Sequence, residues 1–121
     1  MKKTDIYCYC RDAEGNKRIE VNKGYSLNDR LSVYKKLDTI YVIDVLTGLS
    51  IAPEELFRRY KGEIVTFKTF RSIENNLDEI MELFRKVIST KYSSYARMQN
   101  DFKDLMEEYN EGRKNNSPDI D

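Results

Sequence analysis

The chain has no histidine. That absence excludes a Ser-His or Cys-His nucleophile pair and any imidazole metal ligand. Cysteine is scarce as well: Cys8 and Cys10 are the whole supply, too few soft ligands for a classical zinc site. On a strand these two side chains share one face, a poor geometry for a mutual disulfide. They read as free thiols in a reducing cytosol, a buried small-hydrophobe pair. The competing reading is a reactive or metal-binding Cys-x-Cys.

Long apolar runs are missing too. None approaches the roughly 18 residues of a membrane span, and residues 1–30 lack the apolar stretch of a signal peptide. The expectation is a cytoplasmic protein with no membrane contact. Net charge is absent: 21 basic and 21 acidic residues cancel. A general DNA or RNA coat needs a basic surplus, so that role is not expected. There is no Gly-rich phosphate loop, since Lys61-Gly62-Glu63 is only a turn. A metal-dependent nuclease needs an acidic residue and then a Glu-x-Lys strand, but Glu63 is followed by Ile64-Val65. Asp101-Phe102-Lys103 has the spacing but falls on a helix. The carboxylates Asp44, Glu54, Glu55 and Glu63 single out no catalytic pair. A non-enzyme without metal or cofactor is expected.

What is present organises into one domain of α+β class, residues 1–121. Residues 1–71 are strand-rich, 72–110 helical, and 111–121 a tail that is loose unless a partner orders it. The charge divides at the same place. Up to Arg71 there are 14 basic and 10 acidic residues (+4); from Ser72 there are 7 and 11 (−4). Either the halves attract each other or the split is scatter.

Asp5–Cys10 and Lys17–Asn22 predict a hairpin around Glu14-Gly15-Asn16. Residues 25–38 fit a short helix through Leu27, Leu31 and Tyr34, or a strand through Leu31–Tyr34. Thr39–Val45 is a strong strand. Gly48 turns the chain and Leu49–Ala52 returns. Pro53 opens a short helix over Glu54–Tyr60, which Gly62 ends. Glu63–Phe70 predicts a last strand. The sum is a small antiparallel sheet of five or six strands.

The helical half has two seams. Ile73, Leu77, Ile80, Phe84 and Val87 repeat at 4, 3, 4 and 3, and Tyr95, Met98, Phe102, Leu105 and Tyr109 at 3, 4, 3 and 4. Ser72 is the N-cap candidate. Either the chain turns near Ser93 into a helical hairpin, or one helix of roughly 57 Å runs from Ser72 to Tyr109. Both leave more apolar surface than one small sheet buries. The helices are therefore expected to build a homo-oligomer, a dimer or larger.

The residue types that remain suit binding. Aromatic rings stack on bases, Arg pairs with phosphate, and Asn reads base edges. They gather at Phe67-x-x-Phe70-Arg71-Ser72-x-x-Asn75-Asn76 and recur at Arg97, Asn100 and Arg113. Arg58-Arg59 can also reach a phosphate. Against this, Phe70 reads equally as core and the polar residues as solvated surface.

The layout resembles the first family of phage Thoeris anti-defence proteins. The resemblance rests on the strand-rich half ending in Phe67-Lys68-Thr69-Phe70, the seams at Ile73–Val87 and Tyr95–Tyr109, and a Lys- and Asn-rich chain of about this length. It implies an oligomeric sponge in the host bacterial cytoplasm. Such a sponge sequesters cyclic ADP-ribose isomers without cleaving them, so the immune effector stays inactive. On chemistry, Phe70 would stack the adenine. Arg71, Arg97 and Arg113 would hold the pyrophosphate, and Asn75 or Asn100 the ribose or base edge. The alternative is a protein–protein inhibitor or adaptor that engages a host defence protein through its acidic helices (Asp78-Glu79, Glu82, Asp101, Asp104, Glu107-Glu108).

Overall fold

The computed structural model describes residues 2–91 and 95–115. Five strands form one antiparallel sheet in sequence order: β1 (Lys2–Arg11), β2 (Lys17–Ser26), β3 (Leu31–Lys36), β4 (Thr39–Asp44) and β5 (Ser50–Ile51). Four helices follow: α1 (Pro53–Lys61), α2 (Phe70–Asn75), α3 (Leu77–Lys91) and α4 (Tyr95–Asn115). The expected α+β class and the sheet followed by helices are what the chain adopts.

Leu31–Tyr34, left open between helix and strand, is strand β3, paired along its length with β4. Strand alternation then sorts the side chains onto two faces. Leu31, Val33, Ile40 and Val42 face α1 and α3 and pack with Leu56, Phe57, Ile80, Leu83 and Val87. Ile6, Cys8, Tyr34 and Ile43 form a second core on the other face.

The sheet is strongly curled. β1 and β2 pair over ten positions, whereas β2 meets β3 only at Tyr25 and Ser26. Gly24 lies at that bend. A β carbon there would stand 2.0 Å from the Val33 carbonyl oxygen, so no other residue fits. The curl brings β1 to the far end of the sheet, where the Tyr9 N–H donates to the Gly48 carbonyl at 2.9 Å.

Three local expectations are corrected. Residues 63–70 form no strand: 62–68 run as an irregular connection, and Phe70 already opens α2. β5 is too short to offer an edge to a further strand, and α1 follows it at once. The Phe67 N–H instead donates to Glu54 Oε1 at 3.0 Å, while its ring is buried beside Phe57 with centroids 5.6 Å apart. The α2 cap is Thr69, not Ser72; the Ser72 N–H donates to Thr69 Oγ1 at 3.2 Å. The first helical stretch also breaks at Asn76, where the Asn76 side chain donates back to the Ser72 carbonyl. Ser93, the expected turn, lies outside the described residues.

Both helical seams find partners inside the chain. Ile73, Ile80, Phe84 and Val87 are buried. On α4 the aromatic residues meet the sheet at intervals of one heptad. The Tyr95 hydroxyl reaches Asp44, Phe102 lies against Gly48, and the Tyr109 ring meets Tyr7 edge-on at 5.9 Å. Part of the apolar stripe is therefore covered within the protomer, while Leu77, Met98 and Leu105 stay half-buried.

Candidate functional site

β5 is two residues long and covers only Val42 and Ile43 of β4. The Thr39–Tyr41 half of β4 thus has no strand on its outer side. A groove of about 370 Å³ opens there, between this bare edge and α1. Thr39, Tyr41 and Ser50 line it on the sheet side, and Glu54, Glu55, Arg58 and Arg59 on the α1 side, with Leu56 between them.

Each wall is fixed by a local cause. Tyr41 stacks on Tyr34, with centroids 5.2 Å apart and planes 18° from parallel. Tyr34 is buried, and its hydroxyl and that of Ser50 share a hydrogen bond at 3.0 Å. Burial pushes the Tyr34 phenol well above its ordinary range. The upper ring of the stack is thereby held in place on the groove wall. α1 begins at Pro53, with Glu54 and Glu55 at its positive dipole end. Arg58 and Arg59 fall in its last turn, where cations are favoured. Neither arginine has an ion pair or hydrogen bond among the described residues, and both are exposed. Glu54 is engaged by the Phe67 N–H.

A second polar cluster lies at the start of α4. Asp44 is buried in the β4–β5 turn. Its Oδ2 accepts from the Tyr95 hydroxyl at 2.6 Å and the Thr47 hydroxyl at 2.9 Å, and Oδ1 accepts from the Leu46 N–H at 3.2 Å. Arg30 donates to the Tyr95 oxygen at 2.7 Å and stands 3.9 Å from Asp44. Desolvation, with the neighbouring carboxylate, pushes the Tyr95 phenol up to about 12. The buried carboxylate ties α4 to the sheet through the Tyr95 hydroxyl.

The residues singled out from sequence fall into two groups. Phe70, Arg71 and Asn75 lie on α2. Phe70 is half-buried, edge-on to Tyr25 at 5.3 Å, while Arg71 and Asn75 are exposed. Arg97 and Asn100 are exposed on α4, and the Arg113 side chain lies outside the described residues. Neither group lines the groove beside α1. Tyr41, Thr39 and Ser50 were missed as site residues. Only Arg58-Arg59 gave a sequence signal there.

Cys8 and Cys10 are both free. Cys8 is buried, which raises its thiol above the ordinary range. Among the described residues, no group of three or more His, Cys, Asp or Glu is placed to hold a metal, and no helix is long and apolar enough to cross a membrane. No family model matches the chain, nor does any curated protein or solved structure.

Proposed function

We propose that this protein binds a small nucleotide signal and holds it chemically unchanged, with the groove between β4 and α1 as the binding site. The observation that carries this reading is the pairing of two arginines, unpartnered among the described residues, with a stacked tyrosine platform across one groove. Arg58 and Arg59 offer forked donors to a pyrophosphate, and the Tyr41 ring offers a π face to a base. Thr39 and Ser50 supply hydroxyls for ribose oxygens. The layout resemblance adds the specific ligand, a cyclic ADP-ribose isomer. Its sequestration by an oligomer in the host cytoplasm would keep a bacterial immune effector inactive.

Calorimetry with cyclic ADP-ribose isomers, followed by recovery of intact ligand from the heat-denatured complex, tests the proposal. Saturable binding that Arg58→Ala/Arg59→Ala abolishes is expected. No binding, or recovery of a cleaved product, refutes it. Binding lost instead in Arg71→Ala/Arg97→Ala would move the ligand to the surface formed by α2 and α4. Sedimentation reads the assembly state.

One observation favours a second reading, a protein–protein inhibitor. Asp101, Asp104, Glu107, Glu108 and Glu111 line one open groove of about 440 Å³ along α4, with Lys17 the basic residue beside them. Such a face suits a basic partner surface. Charge reversal at Glu107 and Glu108 should then abolish salt-sensitive binding to a polylysine probe.

A further inference from the structure

β1 is an edge strand ten residues long. The Tyr9 N–H points away from β2, to the Gly48 carbonyl. β1 and β2 pair in unbroken register from Lys2 to Arg11, so alternation turns the N–H and C=O groups of Lys3, Asp5 and Tyr7 to the same outer side. Among the described residues no strand pairs with that side, and Lys2, Lys3, Thr4 and Asp5 are all exposed. A long edge with free ladder groups is a template for another strand.

A second copy of this chain is the partner whose charges fit. In a two-fold antiparallel pairing, residue i meets the partner's residue j, and j meets i. Lys3 against Lys3, or Asp5 against Asp5, would set like charges face to face, which is destabilising. The register between these sets Lys3 against the partner's Asp5 and Asp5 against the partner's Lys3, with Thr4 on the axis. Opposite-charge and Thr–Thr pairs both favour sheet pairing. Lys3 and Asp5 both carry outward groups, so each such pair exchanges both of its main-chain hydrogen bonds. Lys23 lies opposite Asp5 on β2, but no ion pair joins them among the described residues.

The surroundings leave room for the incoming strand. A cavity of about 400 Å³ is bordered by Thr4, Asp5, Ile6 and Tyr7, with Ser32, Phe102 and Met106 across from them. Residues from both faces of β1 border it, so it opens at the strand's edge. The same register brings the partner's Lys2 opposite Ile6, into this opening. Asp29 lies in the lining, and no lysine or arginine does.

We propose that the outer edge of β1 is a self-association surface, where two copies pair antiparallel about Thr4 and join their sheets. No β1 residue lines the groove beside α1, so this interface stands independently of the nucleotide site.

Sedimentation velocity of the full chain, from low to high micromolar, should show a monomer–dimer equilibrium that weakens with added salt. Asp5→Lys turns both attractive pairs into repulsive ones and should weaken dimerisation about tenfold or more. Lys3→Asp should do the same. An equimolar mixture of the two variants regains both opposite-charge pairs and should dimerise like the wild type. So should one chain carrying Lys3→Asp and Asp5→Lys together. Both positions are exposed, so every variant should keep the wild-type circular dichroism spectrum. Hydrogen exchange at the Lys3 and Asp5 amides should slow as concentration rises. A monomer at every concentration overturns the proposal. So does a dimer indifferent to both reversals, a mixture that stays monomeric, or concentration-dependent protection confined to α3 and α4.

Discussion

Gly48→Ala probes how α4 is held on the sheet. Gly48 sits in the β4–β5 turn at φ 68°. Its N–H donates to the Asp44 carbonyl at 2.8 Å, and its carbonyl accepts from Tyr9. An added β carbon would stand 2.3 Å from Phe102 Cε1. Two costs follow. A non-glycine residue in the left-handed region costs about 1 kcal/mol. Displacing a ring that is 6% exposed costs about 2 kcal/mol more, in the range of core overpacking. The single variant should therefore lose about 3 kcal/mol, a large fraction of a small domain's stability. Phe102→Ala should lose roughly 3 kcal/mol or more by cavity formation. In the double variant the ring is gone, so the alanine costs only its backbone strain. The coupling energy should then be about 2 kcal/mol. Urea unfolding of the four proteins, followed by far-ultraviolet circular dichroism, measures it. Additivity within about 0.5 kcal/mol would refute the placement of Phe102 against Gly48, and with it the docking of α4 across this turn.

Tyr95→Phe removes a 2.6 Å hydrogen bond to the buried Asp44 carboxylate and should cost about 1.5 kcal/mol in urea unfolding. The Tyr95 phenol is raised from 10 to about 12. Its contribution is complete below pH 10 and is lost as pH rises through about 12. The stability gap between wild type and Tyr95→Phe should therefore close over that window; a constant gap sinks the assignment. Thr69→Ala deletes the acceptor of the Ser72 N–H and should cost about 1 kcal/mol. An unchanged urea midpoint would leave α2 capped by something other than Thr69.

The legible parts of this fold are those written in neighbouring residues. The alternation in Thr39–Asp44, the Pro53 start of α1 and the Gly62 stop each depend on a few adjacent positions, and each is where the sequence pattern puts it. The 63–70 segment misleads because its alternation is real but has another cause. Phe67 turns inward and Ile64 remains 82% exposed, yet no strand edge stands beside them. Alternation reports which side chains are buried and is silent on whether a hydrogen-bonding neighbour exists. The helical seams show a related limit. A heptad seam records an apolar stripe without naming what covers it, and on α4 Tyr95, Phe102 and Tyr109 of the stripe meet Asp44, Gly48 and Tyr7 of the same chain.

Sites are harder to read because their members are far apart in sequence. Tyr95 lies 51 positions from Asp44, and Ser32 becomes a cavity residue only if 31–34 is a strand. The same distance has a thermodynamic consequence. Phe102 and Met106 of α4 line the cavity that holds Ser32, whereas no α4 residue lines the groove of Arg58 and Arg59. A ligand in the first cavity binds only the form in which α4 is docked, so it must stabilise that docking by mass action. Gly48→Ala displaces Phe102 and should therefore loosen that docking. Nucleotide binding at the second groove should be unchanged in the same protein. Measuring nucleotide affinity and the urea midpoint in wild type and Gly48→Ala separates the two regions. Parallel losses would mean that the substitution unsettles the whole sheet, and that α4 is not an independent wall of one cavity.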